Sequence, residues 1–311
     1  MPRAIVVGVV GDSGAGKTTI TRGLTRVIGD AHVTHVSADD YHRYDRRQRR
    51  ELGVTPLHPD SNHLDILTQH LTHLRRGEPI LKPVYSHQTG EFEAPTYVRP
   101  AKFLLVEGLL NFHTETLRTL RDVRVALAPP EALRRAWKLK RDCTRRGYTT
   151  DEVLTELDAR QADAEAYVQP QRTFADIVVA FSSRLDADVI LRDTLPHPDL
   201  SPLLDGSERG PALIKREREW LLRIPGDLDP GHAAELEEAV WQRMSFASHL
   251  RITRLGEFTS GMDLHRSDSL ALVQLLILYH VVTARAALAI GGSPPRADPR
   301  HPTGADSALH A

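Results

Sequence analysis

The chain has 311 residues, a formal net charge of −1 and 26% charged side chains. That length accommodates one large α/β core or two modest domains, and the near-neutral balance argues against a generic nucleic-acid or membrane surface. The single cysteine, Cys143, excludes an intramolecular disulfide and fits a reducing compartment. Met1-Pro2-Arg3 leads directly into an apolar strand at residues 4–10, so no secretory leader is expected and a cytoplasmic location is. Next comes Gly11-Asp12-Ser13-Gly14-Ala15-Gly16-Lys17-Thr18, a complete G-x-x-x-x-G-K-[ST] phosphate loop, and a helical pattern follows through Leu24 and Ile28. Gly14 and Gly16 let backbone N–H groups close around a polyphosphate at a helix N-terminus, with Thr19 in the first turn. Lys17 then reaches the β- and γ-phosphates and the Thr18 hydroxyl ligates Mg²⁺. A chance glycine-rich turn is the alternative. The strand before and the helix after argue for a nucleoside triphosphate site.

A strand is predicted over residues 33–37, then a polar, arginine-rich stretch to residue 59. Leu64, Leu67, Leu71 and Leu74 recur at helical spacing, and Gly77 stops that helix. Residues 79–100 hold Pro79, Pro83, Pro95 and Pro100 with Gly90, an ordered excursion or loop rather than a core helix. Strands follow at residues 103–106, 123–127 and 177–180, with helices beginning near Pro130 and covering residues 151–166. This alternation specifies an α/β fold, a mainly parallel sheet with helices on both faces. Past residue 182 the pattern weakens. Residues 189–191 and 220–224 read as strands, and 233–244 and 270–288 as helices. The apolar run at 270–282 contains Gln274 and His280 and is too short to span a bilayer, so it reads as an amphipathic or buried helix. The expected division is a P-loop core at 1–182, a smaller α+β extension of the same domain at 183–290, and a disordered tail at 291–311.

Glu107 stands at the carboxyl end of an apolar strand, where an acid in a phosphate-loop fold holds Mg²⁺ or its water. Asp39 and Asp40 follow the second strand, where ligands of open α/β sheets bind. A carboxylate there can take the proton of an acceptor hydroxyl. Adjacent residues diverge on leaving a strand, so one of the two faces the nucleotide, and position alone leaves open which; a helix cap or turn is the other use of such a pair. Arg43, Arg46, Arg47, Arg49 and Arg50 crowd the next segment, a pattern shared with ordinary solvated helix faces. Arg134, Lys138, Arg141 and Arg145 lie on one helical stripe, where like charges cost about a few tenths of a kcal/mol per pair. Asp142 relieves part of that repulsion, and a bound phosphate would relieve more. Tyr85 and His87, in a proline-fixed loop, are either acceptor-pocket residues or a packed tip. The 16 histidines form no H-E-x-x-H or comparable metal spacing.

These residues together resemble the phosphoribulokinases, within the larger group that includes uridine kinases. The carriers are the phosphate loop, Asp39-Asp40-Tyr41-His42 with Asp45-Arg46, Gly53-Val54-Thr55, Lys82-Pro83-Val84-Tyr85-Ser86-His87, Val106-Glu107-Gly108-Leu109, and Trp137-Lys138 through Arg141-Asp142 to Arg146-Gly147-Tyr148. The resemblance covers most of residues 4–181 and, more weakly, 256–282. It implies an ATP- and Mg²⁺-dependent kinase acting on the C1 hydroxyl of ribulose 5-phosphate, assembled as a homodimer or larger homo-oligomer. By position, Asp39 resembles the family's catalytic base and Glu107 its metal-associated acid. His42, Arg46 and Arg146 resemble residues that hold the sugar phosphate; Lys138 and Arg141 resemble the pair that stabilises the migrating phosphoryl group. A regulatory phosphate-loop cysteine of some members is replaced by Asp12 or Ser13, and Leu110-Asn111 stands where many members have His. A uridine or cytidine kinase, or a kinase for another pentose phosphate, is the alternative enzyme, and a nucleotide-binding regulator without chemistry the alternative class.

Overall fold

All seven residues of the first strand are buried, as expected of a strand covered on both faces. The fold is seen in a computed structural model that describes residues 3–204, 206–251 and 255–291. In chain order the strands are β1 (Ile5–Gly11), β2 (Val33–Ser37), β3 (Ile80–Tyr85), β4 (Phe92–Val98), β5 (Phe103–Gly108), β6 (Val123–Leu127), β7 (Ile177–Phe181), β8 (Ala187–Arg192), β9 (Ala212–Arg216), β10 (Glu219–Ile224), β11 (Glu257–Ser260) and β12 (Asp263–Arg266). The helices are α1 (Lys17–Ile28), α2 (Arg46–Leu52), α3 (Leu64–Arg76), α4 (Glu115–Thr119), α5 (Glu131–Arg145), α6 (Thr150–Ala159), the short turn α7 (Gln161–Asp163), α8 (Pro230–Arg243) and α9 (Asp268–Ala289).

The main sheet has eight strands in the order β2-β5-β1-β6-β7-β8-β10-β9. Its first five are parallel, and the last three continue it antiparallel. Alternate residues of each strand feed opposite faces. Ile5, Val7 and Val9 pack with Ile20, Leu24 and Val27 of α1 and with α8 and α9. Val6, Val36, Leu104 and Val106 pack with Leu67, Leu71 and Leu74 of α3 on the other side. Strands β8, β10 and β9, beyond residue 182, therefore extend the main sheet, while β11 and β12 form a two-stranded sheet of their own.

The proline-rich stretch is an ordered excursion, as expected, and other elements differ from expectation. The proline-rich excursion is the β3–β4 hairpin, whose register shifts between Lys82 and Val84; Pro83, which has no N–H to donate, sits at that irregularity. The helix expected over residues 151–166 ends at Ala159, after a Thr149–Glu152 capping box, and the chain resumes as α7 and a wide turn at Ala164–Val168. The β11–β12 hairpin and edge strand β9 had no counterpart in the hydrophobic pattern because they are short and have no buried residue. The tail read from residue 291 onward lies, except for Gly291, outside the described residues.

Helix α9 is long and apolar enough, by length and composition, to cross a membrane, yet 72% of its most apolar window is buried inside the protein. Every residue from Ser269 to Val282 is buried, so this run is core and not a subunit contact. Its one buried amide, Gln274, is fully used: Nε2 donates to the Thr19 carbonyl at 3.1 Å and Oε1 accepts from Gly256 N–H at 2.9 Å. Gly23 of α1 makes the room, since a Cβ there would stand 2.2 Å from Gln274 Nε2. Gly-to-Ala in a helix ordinarily stabilises by about 1 kcal/mol. At Gly23 we expect the opposite sign, a loss of about 1–3 kcal/mol in urea unfolding, because the displaced amide is left unsatisfied. A Gly23→Ala protein as stable as wild type would show that the amide can move freely.

Candidate active site

The carboxyl ends of β2, β5 and β1 lie side by side, which brings Asp39, Glu107 and the phosphate loop to one rim. Gly14 and Gly16 adopt left-handed conformations with φ of 87° and 95°. A Cβ on Gly14 would come within 2.9 Å of Lys138 Cβ, so the loop rests directly on α5. Arg134 supports it there, donating to the Ser13 carbonyl at 2.7 Å while paired with Glu131. Lys17 Nζ donates to the carbonyls of Gly11 at 2.8 Å and Asp12 at 3.1 Å. Burial lowers its pKa, and the charges of Asp39, Glu107 and Asp12 work against that shift. Ala15 is buried beneath the loop, while Thr19 belongs to the first turn of α1.

Glu107 is the focus of a polar cluster. Thr18 donates to Oε1 and Thr21 to Oε2, each at 3.1 Å, and His35 Nε2 lies 3.4 Å from Oε1. Burial opposes its charge, but the hydrogen bond and charge of His35, with help from Lys17, hold its pKa below the usual carboxylate value. Thr18 and Glu107 thus supply adjacent hard oxygens, a set that suits a magnesium ion completed by phosphate oxygens and water. Among the described residues no group of three or more His, Cys, Asp or Glu side chains forms a self-sufficient metal site. Thr21 lies one helical turn after Thr18 on the same face, a spacing that could have identified it; His35 carried no comparable signal.

The two adjacent aspartates diverge. Asp39 Oδ1 accepts from Leu109 N–H at 3.3 Å, and its charge acts on Lys17 and Glu107 on one side and on His42 and His87 on the other. Asp40 turns to the hairpin, accepting from Tyr85 N–H at 3.0 Å and pairing with Lys82.

Across the cleft, the cations of α5 already have partners. Asp142 receives Lys138 at 2.6 Å, Arg141 at 2.7 Å and Arg146 at 3.4 Å. Lys138 also reaches Glu156 at 3.2 Å, and Glu156 holds Arg160 at 2.7 Å. Four cations share two carboxylates, which leaves the cluster positive. The predicted single stripe facing a phosphate is thereby divided: Arg134 braces the loop, Arg145 donates to the Gly261 carbonyl, and Lys138 and Arg141 are gathered by Asp142. Sequence reading treated Asp142 as a partial relief of repulsion; it is the hub. Glu156 and Arg160 were missed because they come from a different helix and the turn after it.

His42 is buried, bonded through Nδ1 to Asn62 Oδ1 at 2.8 Å and edge-on to Tyr85. Burial pushes its pKa down to about 4, so it is neutral at pH 7. Tyr85 is also buried, its hydroxyl accepting from Arg49 at 2.6 Å. His87 at the hairpin tip packs edge-on to Tyr85, and desolvation lowers its pKa, opposed by Asp39. Arg46 spends its guanidinium on the His87 carbonyl at 2.5 Å. Leu110 and Asn111 lie under the cleft rather than in it: both are buried, and Asn111 Nδ2 donates to the Val106 carbonyl at 2.7 Å.

The loop, the acid ending β5 and the parallel sheet define a P-loop kinase-type α/β protein. The model of the Phosphoribulokinase / Uridine kinase family matches residues 6–187, and the chain belongs to that family. It is 39% identical over 179 residues to a phosphoribulokinase of Synechocystis sp., covering 58% of this chain and 54% of that one. It is 35% identical over 194 residues to a chloroplastic phosphoribulokinase of Mesembryanthemum crystallinum, covering 57% and 49%. The chain thus spans about half the length of these relatives. A uridine kinase of Listeria innocua is 30% identical over 181 residues, covering 57% of this chain and 87% of its own. Among solved structures, a phosphoribulokinase from Rhodobacter spheroides superposes with a TM-score of 0.56 at 18% identity, over 80% of this chain and 98% of that one.

Removing the hub charge has a signed pH dependence. Burial works against the Asp142 charge, but Arg141 and Lys138 hold its pKa down at about 2 against the ordinary 3.8. Its contribution to stability is therefore complete above pH 3.8 and fades as pH falls toward 2. Asp142→Asn should cost about 3 kcal/mol at neutral pH in urea unfolding, with the gap from wild type closing in acid. A variant of wild-type stability at pH 7 would remove Asp142 from its place as counter-charge.

Proposed function

We propose that this chain is an ATP-dependent kinase that phosphorylates the C1 hydroxyl of ribulose 5-phosphate. One observation carries the reading: Asp39 leaves β2 at the same rim as the phosphate loop and Glu107, its Oδ1 accepting from Leu109 N–H at 3.3 Å. Asp39 takes the proton of the acceptor hydroxyl as its oxygen bonds to the γ-phosphorus, and the bond from that phosphorus to the β–γ bridging oxygen breaks to release ADP. Lys17 exchanges the carbonyls of Gly11 and Asp12 for phosphate oxygens. Lys138 and Arg141 face the migrating phosphoryl group, which needs cations already held in place. Thr18 and Glu107 would hold a magnesium ion, which would supply charge neutralisation on the phosphates.

The preference for a phosphorylated acceptor rests on the positive surplus of the Lys138, Arg141, Arg146 and Arg160 cluster, which a neutral nucleoside does not need. Relatives of both kinds support a small hydroxyl acceptor. Continuation of the kinase sheet by β8, β10 and β9 supports treating residues 183–290 as part of the same domain.

ADP release should be measured with ribulose 5-phosphate and with uridine side by side. We expect turnover with the sugar phosphate; faster turnover with uridine would make the chain a nucleoside kinase, and none with either would leave a nucleotide-binding regulator. Asp39→Asn should lower kcat by about 10²–10⁴ while ATP affinity stays within about twofold. A variant that keeps most of its turnover would dismiss Asp39 as the base.

A further inference from the structure

Strands β3 and β4 form a two-stranded sheet of their own, apart from the eight-stranded one. A lone hairpin is marginal in water, and this one exposes Leu81, Phe92 and Tyr97. Its place over the acceptor side of the cleft depends on ties to the body. Asp40 holds β3 twice, through Tyr85 N–H at 3.0 Å and through the Lys82 ammonium, in a pair whose side chains are 16% and 12% exposed. Arg49 donates to the Tyr85 hydroxyl at 2.6 Å and to the Tyr44 carbonyl at 2.5 Å. At the tip, Arg46 donates from its guanidinium to the His87 carbonyl at 2.5 Å and from its backbone N–H to the Gly90 carbonyl at 2.8 Å. Gly90, at φ +83°, leaves the space this needs: a Cβ there would stand 2.7 Å from Arg46 Cβ.

We infer that Asp40 and Arg46 are positioning residues that latch the β3–β4 hairpin to the body, so that His87, packed on Tyr85, is presented to the acceptor beside Asp39. The inference rests on the acceptor site proposed above. The two adjacent aspartates then have separate roles, with Asp39 facing the reacting groups and Asp40 fixing the element that shapes the acceptor pocket. Arg46 likewise gains a route to acceptor affinity that requires no contact with a phosphate. The strength of each tie comes from its charge, because a charge-assisted hydrogen bond with one partner removed leaves the other unpaired.

The test combines steady-state kinetics with hydrogen exchange on Asp40→Ala, Lys82→Met, Lys82→Arg and Arg46→Gln. We expect Asp40→Ala, Lys82→Met and Arg46→Gln to raise the acceptor KM about tenfold or more, with the ATP KM within about twofold. Exchange over residues 85–90 should quicken about tenfold in the same three proteins while α1 is unchanged. Lys82→Arg, which keeps the charge, should stay near wild type on both readouts. Lys82→Met probes the Asp40 tie from its other end should Asp40→Ala fold poorly. Unaltered hairpin exchange in Asp40→Ala or Lys82→Met, or an ATP KM rising in step with the acceptor KM, would overturn the latch. A raised acceptor KM in Arg46→Gln without faster exchange would instead place Arg46 directly on the acceptor. Exchange needs no turnover, so failure of every acceptor would defeat the proposed activity and leave the latch to be judged by the hairpin alone.

Discussion

Parallel pairing of β2 with β5 and of β5 with β1 puts Ser37 opposite Glu107 and Val10 opposite Gly108. From that register the site follows. The chain leaves β1 as the phosphate loop, β2 as Asp39 and β5 as Glu107, all at one rim and within the spacing of neighbouring strands. The three strands are held by apolar packing on both faces, so their ends cannot shift independently without opening a close-packed core. Rigid strands under short loops give the precision that an in-line transfer demands.

Charge imposes the second constraint. Lys138, Arg141 and Arg146 converge on one spot, and three such cations would repel one another without a counter-charge. Asp142 lets them stay together. The same carboxylate must not neutralise them, and with Arg160 sharing Glu156 the balance stays positive. Lys17 follows a similar rule: its buried ammonium rests on loop carbonyls, weak partners that an anionic phosphate displaces. The cleft is thus kept cationic while its charged groups stay ordered.

What could be read from the sequence tracks how local the determinant is. The phosphate loop, the leucines of α3 and the strand that ends in Glu107 are contiguous patterns, and each lies where its periodicity put it. The divergence of Asp39 and Asp40 was foreseeable from strand geometry, but which one turned inward depended on Lys82 and Tyr85, more than forty residues later. Asp142 stood in plain view in the arginine stripe, but its rank as hub required Arg146 to fold back from beyond the helix. Arg46 looked like one of several exposed cations because its partners are backbone carbonyls, which no residue type announces. Beyond residue 182 the strands are short and antiparallel, and half of their faces are wet, so alternation was faint.

That later portion nevertheless touches the chemistry from behind. Gln274 of α9 binds the carbonyl of Thr19, in the turn of α1 that follows the phosphate loop. The β11–β12 hairpin spans the gap between α1 and α5: Glu257 pairs with Arg26 of α1 at 2.8 Å, and the Gly261 carbonyl accepts from Arg145 of α5 at 2.9 Å. Helix α1 carries the loop, and α5 carries Lys138 and Arg141. A brace that joins both ties the phosphate loop's helix to the helix of those cations. Arg26–Glu257 and Arg145–Gly261 are exposed and individually weak, whereas buried Gln274 anchors the start of that hairpin to α1, joining the Gly256 N–H to the Thr19 carbonyl.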